Sequence, residues 1–142
     1  QQDHRRRKRR EHQREGGRIV EDVRIILAGL WVALMLTYLL GDVLRIFAGD
    51  FTAGEIEGKP ASSRMYLWMA LFMLIPIVMI VLSLTVAYPA IRWVSLVASA
   101  FLVLFNLAGL PYDGAYDNFL IVVGLVFNGV IIWYAWTWQA VA

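Results

Sequence analysis

Cysteine is absent from this 142-residue chain, and histidine is nearly absent. Without a thiol, the chain has no disulfide, no thiol nucleophile and no thiolate metal site. Its two histidines, His4 and His12, lie near the start of the sequence, so the rest of the chain offers no imidazole for a haem or a buried metal. We therefore predict that the protein uses no metal and no cofactor.

Charged residues are also scarce. They make up 17% of the chain, against roughly 25% in soluble domains, whereas 60% of the residues are hydrophobic. Nine of the thirteen basic residues fall within the first 24 positions. Beyond them the chain consists of long apolar runs separated by short polar pieces, which predicts a polytopic membrane protein with a basic tail.

Four apolar runs reach the roughly 20 residues that a membrane-spanning helix needs. They do not alternate polar and apolar residues, so helices are predicted rather than barrel strands. The predicted fold class is all-α, a four-helix transmembrane bundle (24–142) after a basic cytoplasmic tail (1–23). The spans cover about residues 24–47, 64–87, 90–110 and 118–138. The first is too long for the apolar part of a signal peptide, so we expect it to be retained.

The placement of basic residues predicts the orientation, because the cytoplasmic ends of spans are rich in Lys and Arg. The tail and the turn that contains Arg92 carry most of them, and Lys59 is the only basic residue squarely within the other two connections. Both termini are therefore predicted to be cytoplasmic, in a bacterial inner (plasma) membrane. The acidic connections 48–63 and 111–117 then face outward.

The basic tail is predicted to contact anionic lipids of the cytoplasmic leaflet, where each Lys or Arg near the surface contributes ~1 kcal/mol. Its six consecutive basic residues are the candidates for this contact: Arg5, Arg6, Arg7, Lys8, Arg9 and Arg10. Nucleic acid also attracts positive charge, but the tail has no interleaved aromatic residues and no folded module. We therefore predict no nucleic-acid partner.

Two charged residues stand inside the apolar stretch YLLGDVLRIF, residues 38–47. Asp42 follows Arg24 by 18 residues, which is about 27 Å of helix at ~1.5 Å per residue. The hydrocarbon core is about 30 Å thick, so Asp42 and Arg45 are expected near its outer boundary. One interpretation is that they form an i,i+3 ion pair that closes the outer end of the span. The other is that Asp42 lines a cavity open to the outside.

The second interpretation predicts a polar vestibule in the outer half of the bundle. Tyr38, Asp42 and Arg45 share one helix face at i, i+4 and i+7 spacing. Asn106 and Asn118 are expected at similar depths on spans three and four. Asn128 lies near the midplane, where a buried amide needs a partner, either a neighbouring helix or a ligand. The candidate ligand-binding residues are Tyr38, Asp42, Arg45, Asn106 and Asn128.

Small residues recur every fourth position along the first span: Gly29, Ala33, Thr37 and Gly41. Such a stripe lets helix backbones approach closely. It is interpreted as a packing face within one chain, with self-association as the alternative.

Four segments are distinctive in their order and spacing: LWVALMLTYLLGDVL (30–44), IPIVMIVLS (75–83), YPAIRW (88–93) and IIWYAWTW (131–138). From the first span onward the chain thereby resembles an uncharacterised family of small bacterial four-helix integral membrane proteins, a domain of unknown function. The resemblance implies the same four spans but no activity. Members tend to carry glutamates where this chain has Leu74 and Gly124, which argues against a proton-coupled function here.

Enzymatic functions fit the sequence poorly, because hydrolysis and group transfer need a nucleophile with a base, or a metal. The predicted membrane region has neither His nor Cys, and its one carboxylate lies near its edge. We therefore predict a non-enzymatic protein. The first hypothesis is binding or transport of a small solute or ion through the outward vestibule, in a homo-oligomer. The alternative is an accessory or assembly subunit that packs against a larger membrane complex.

Overall fold

The computed structural model describes residues 2–56 and 58–138. Within these residues the chain forms four helices and one small hairpin: α1 (Gln2–Ala48), β1 (Glu55–Ile56), β2 (Lys59–Pro60), α2 (Ser63–Thr85), α3 (Ala90–Ala108) and α4 (Ala115–Thr137). All four helices are long and apolar enough to cross a membrane. The prediction of four apolar helices is therefore confirmed, with the hairpin as an addition. The last four residues of the predicted bundle and the first residue of the tail lie outside the described residues.

α1 is one helix of 47 residues, about 70 Å long at ~1.5 Å per residue. The predicted first span begins near Arg24, but the helix begins at Gln2 and includes the basic tail. No proline interrupts this segment, so its backbone hydrogen bonds can continue. Arg24 lies level with the end of α2, because its guanidinium donates to the backbone oxygens of Ser83 and Leu84. The tail part of α1 therefore projects beyond the bundle.

Local chemistry explains where the other helices begin and end. Ser62 caps α2, since its hydroxyl oxygen accepts a hydrogen bond from the backbone N–H of Met65 at 3.4 Å. Pro89 is the N-cap of α3 and Pro111 follows the end of α3, positions where the missing backbone N–H of proline breaks no helix hydrogen bond. In the hairpin connection, Gly54 has a φ angle of +83°, a conformation that glycine adopts most readily.

Neighbouring helices run in opposite directions. Arg45 near the end of α1 contacts Asp117 in the first turn of α4, and Arg92 at the start of α3 donates to the carbonyl of Trp136 at the end of α4. α1 packs along α2 and α4, and α3 packs along α4, whereas α2 and α3 touch only sparsely. We call the end of the bundle where α1 meets the start of α4 the Asp117 end, and the opposite end the Arg24 end.

The two arginines at the Arg24 end satisfy backbone groups that the helices leave unpaired. The last carbonyls of a helix have no partner within it and carry partial negative charge. Arg24 donates to the carbonyls of Ser83 and Leu84 in α2, at 3.1 and 2.7 Å, and Arg92 donates to that of Trp136 in α4, at 3.1 Å. In the sequence, Arg24 and Arg92 served only to predict the orientation. In the structure, they also link the ends of neighbouring helices.

The core surrounds Trp31, which is fully buried in the middle of α1. It packs with apolar side chains from all four helices: Leu27, Leu34, Met79, Ile91, Leu102 and Ile131. The outward faces of the same helices are apolar as well. Leu36, Val81, Val97 and Val126 are each more than half exposed. An apolar outer surface of this extent is typical of helices surrounded by lipid.

The small-residue stripe of α1 divides into two parts. A side chain at Gly41 would meet Leu120 of α4 at 3.6 Å, so this end of the stripe lets α1 approach α4. At Gly29 an added Cβ would meet no heavy atom within 4 Å. Packing within one chain therefore explains the Gly41 part, and self-association through the Gly29 part stays a prediction.

Candidate functional site

Arg45 forms an ion pair across the Asp117 end of the bundle. Its Nε donates to Oδ1 of Asp117 at 3.0 Å, which joins the end of α1 to the start of α4. The predicted ion pair between Asp42 and Arg45 is therefore wrong in its acidic partner. The reason is burial: the Asp117 side chain is only 11% exposed, and a buried carboxylate is strongly unfavourable without a paired cation.

The connection between α3 and α4 holds an aromatic ring against this ion pair. Asn118 bridges the backbone of Tyr112 twice, accepting from its N–H at 3.0 Å and donating to its carbonyl at 2.7 Å. The Tyr112 ring then lies 4.9 Å from Cζ of Arg45, in a cation–π contact. The expected place of Asn118 in the vestibule is wrong, because both ends of its amide serve the turn. It instead positions Tyr112.

Tyr38 and Asn106 meet one layer further into the bundle. Nδ2 of Asn106 on α3 donates to the hydroxyl oxygen of Tyr38 on α1 at 2.7 Å. This hydrogen bond spans the bundle diagonally and satisfies an amide that would otherwise be costly in an apolar surrounding. This polar pair lies deeper in the bundle than the charged side chains of Arg45 and Asp117.

A cavity of about 630 Å³ lies between the four helices at the Asp117 end. Four of the five predicted site residues, Tyr38, Asp42, Arg45 and Asn106, line it together. Their common location agrees with the vestibule hypothesis. Three further polar side chains join them: Thr37, Tyr112 and Asp117.

Asn128 is the predicted site residue that does not line this cavity. It is fully buried, its Oδ1 accepts from Oγ of Ser99 on α3 at 2.8 Å, and its Nδ2 donates to the carbonyl of Gly124 at 3.0 Å. Both ends of the amide are thereby satisfied by protein. Its inclusion among the ligand-binding residues is therefore corrected: Asn128 links α3 to α4.

Aromatic side chains form the wall of the cavity between α2 and α3. Phe72 of α2 has its ring centroid 4.0 Å from that of Phe105 and 6.0 Å from that of Phe101, both on α3. Phe101 and Phe105 line the cavity and are about half exposed. Since the two helices touch only sparsely, side chains rather than packed backbones separate the cavity from its surroundings on this side.

The cavity lining holds two carboxylates and one guanidinium: Arg45 is ion-paired with Asp117 and also attracts Asp42 electrostatically. Arg45 and Asp117 neutralise each other. Asp42 lies on the cavity wall and is exposed to it. Among residues 2–56 and 58–138, no side chain or backbone N–H donates a hydrogen bond to Asp42. The lining therefore carries a net negative charge.

Sequence reasoning missed Asp117 and the phenylalanines. Asp117 lies in the first turn of α4, where an acid is favoured by the positive end of the helix, but it was counted as part of the outer loop. Phe72 lies on α2, where periodicity does not mark an inner face. Phe101 and Phe105 lie on α3, where the sequence drew attention only to the polar residues Ser95, Ser99 and Asn106.

The sequence matches the DUF6326 family, described as a family of unknown function, over residues 18–142. The chain belongs to this family. The resemblance to an uncharacterised family is thereby confirmed, and the DUF6326 match includes every residue of the cavity while leaving out the six consecutive basic residues of the tail. No curated protein and no solved structure matches the chain.

Proposed function

We propose that this DUF6326 protein is a non-enzymatic integral membrane protein that binds, and moves across the bilayer, a small solute or ion. The observation that carries this proposal is the cavity of about 630 Å³ at the Asp117 end, lined by Tyr38, Asp42, Arg45 and Asn106. Ligand pockets in proteins have volumes of roughly 300–1,000 Å³ and combine apolar walls with a few converging polar groups. The lining has both features.

Among the described residues Asp42 has no hydrogen bond and no ion pair of its own, although Arg45 attracts it, and this favours ligand binding over a purely structural role. A charged group inside a membrane protein is unfavourable unless it meets an opposite charge, water or a ligand. Asp42 is not needed to balance Arg45, because Asp117 does so at 3.0 Å. A bundle without a binding role would gain stability from an apolar residue at position 42.

The orientation makes the cavity face outward. Basic residues concentrate in the tail and near Arg92, and acidic residues in the connections at the Asp117 end. In a bacterial inner membrane this distribution of charge favours a cytoplasmic location for both termini. The residues from Arg5 to Arg10 then lie at the anionic cytoplasmic leaflet. We propose a homo-oligomer as the working form.

Cysteine accessibility tests the outward cavity directly, because the natural chain contains no cysteine. Ile121→Cys places a thiol on the cavity wall, and Val126→Cys places one on the outer surface of the same helix. A thiol needs water to ionise and react. A small membrane-impermeant methanethiosulfonate reagent added outside intact cells should therefore modify Ile121→Cys at least about tenfold faster than Val126→Cys.

Equal rates for the two variants would refute a water-filled cavity. Faster modification of Ile121→Cys only when the reagent is added to inverted vesicles would refute the outward orientation and leave the cavity itself intact. Both variants replace a branched apolar residue on α4, so their folding is compared by the yield of monodisperse protein.

A further inference from the structure

We propose that the ligand of this cavity is a lipophilic organic cation, an amine or onium group on an apolar body, that enters sideways between α2 and α3. This inference rests on the proposed function, because it requires that the cavity hold a solute. It adds the chemical class of that solute and its route of entry. The positive charge lies beside Asp42, and the apolar body lies against the aromatic wall formed by Phe72, Phe101 and Phe105.

The sign of the charge follows from the ion pairs. Among the described residues lining the cavity, Arg45 is the only cation, and its guanidinium is already held between Asp117 and the ring of Tyr112. An anionic ligand would meet a guanidinium whose charge Asp117 already balances through Nε, and it would be repelled by the carboxylates of both Asp117 and Asp42. A cation instead finds the Asp42 carboxylate exposed and without a hydrogen-bond donor. Pairing with that carboxylate removes the net negative charge of the cavity.

The apolar part of the ligand follows from the walls. Phe72 lies with its ring centroid 4.0 Å from that of Phe105 and 6.0 Å from that of Phe101. Aromatic faces attract cations electrostatically and bury apolar groups. Hard metal cations such as Ca²⁺ and Mg²⁺ need about six oxygen ligands, which this wall does not supply. A large organic cation holds its water weakly and gains from the apolar contact.

The route of entry follows from the exposure of the same side chains. Phe101 and Phe105 are 50% and 52% exposed while they line the cavity. α2 and α3 touch only sparsely, and the ring contacts of Phe72 with Phe101 and Phe105 form the wall between them, so we place the entry route at these side chains. An amphiphile dissolved in the outer part of the bilayer therefore has direct access.

The surroundings of the cavity also favour a cation. Residues 42–64 and 109–117, which form the Asp117 end in the sequence, contain six acidic and three basic residues. The resulting negative potential raises the local concentration of cations near the opening. This long-range electrostatic attraction does not depend on the contacts inside the cavity.

Two probes of the same shape and opposite charge test the inference. The full-length protein is reconstituted into nanodiscs of zwitterionic lipid, and binding of tetraphenylphosphonium is compared with that of tetraphenylborate. We expect saturable binding of tetraphenylphosphonium only. Asp42→Asn should weaken it by about tenfold or more, because the paired charge is lost. Asp113→Asn is the matched control: the same chemical change at an exposed position at the same end, outside the cavity lining.

A second readout keeps the test decisive if Asp42→Asn does not fold. Bound tetraphenylphosphonium should slow modification of Ile121→Cys by the thiol reagent, and tetraphenylborate should not. Stronger binding of the borate, equal binding of both probes, or absence of protection would overturn the cation inference. If Ile121→Cys still reacts from outside in that case, the proposed outward cavity stands. If Ile121→Cys does not react from outside, the proposed function fails first.

Discussion

Asp117 shows how one residue sets the role of others. It is nearly buried at the start of α4, and the Nε of Arg45 lies 3.0 Å from its carboxylate. Because Arg45 is paired with Asp117, Asp42 is the carboxylate of the cavity lining that has no ion pair. The sequence spacing of Asp42 and Arg45 favoured a local pair, since i,i+3 neighbours on a helix are close. The buried carboxylate of Asp117 on the neighbouring helix competes for Arg45 more strongly than the exposed carboxylate of Asp42 on the same helix.

Removing Arg45 should therefore destabilise the protein. Arg45→Met leaves Asp117 without its cation, and we expect a loss of about 1–3 kcal/mol, below the value for a fully buried pair because the Arg45 side chain is 37% exposed. Thermal unfolding in detergent measures the change. The double variant Arg45→Met/Asp117→Asn should recover part of the loss, and Lys59→Met in the exposed hairpin is the control. An unchanged unfolding temperature for Arg45→Met would contradict the role assigned to the pair.

At the scale of elements, the sequence predicted the helices but not which helices pack against each other. The predicted spans end within a few residues of the observed helices at most boundaries, because length and apolar content suffice to find them. The α1 tail was missed as helix, since its charge marked it only as polar. Which helix lies beside which depends on contacts between distant residues, such as Arg45 and Asp117, which are 72 positions apart.

The composition of the cavity was predictable only in its polar part. Tyr38 and Asp42 stood out because polar residues are rare in such helices, and their spacing put them on one face. The aromatic wall was hidden, since Phe101 and Phe105 resemble the many apolar side chains that face outward. Asn106 and Asn128 both stood out as amides within apolar helices. Only the structure shows that Asn128 links two helices, whereas Asn106 lines the cavity.

The basic segment of α1 leads to a prediction about orientation. Replacing its six consecutive basic residues with Gln removes charge that favours the cytoplasmic side by ~1 kcal/mol per residue near the surface. Part of the protein should then insert inverted, so that Ile121→Cys in this background becomes accessible from the cytoplasmic side. The matched change at the other end, Lys59→Gln with Arg64→Gln, should leave the orientation unchanged. A single orientation in both backgrounds would show that the tail does not direct insertion.

At the scale of the whole molecule, two kinds of interior coexist. Around Trp31 the bundle is close-packed, with buried side chains from all four helices. At the Asp117 end the same four helices line a partly open cavity of about 630 Å³. The packed core and the cavity are built from the same four helices. An accessory subunit needs apolar faces for its partners but has no use for a charged cavity, which is why binding is the favoured function.

Native mass spectrometry of the gently solubilised protein tests this central claim most directly, because it reports subunits, ligands and partner proteins together. We predict a homo-oligomer that retains a non-lipid ligand, and loss of that ligand in Asp42→Asn but not in Asp113→Asn. A protein that carries no ligand and appears only together with larger membrane subunits would contradict the account. It would then be an accessory subunit, and the cavity at the Asp117 end would be part of an interface.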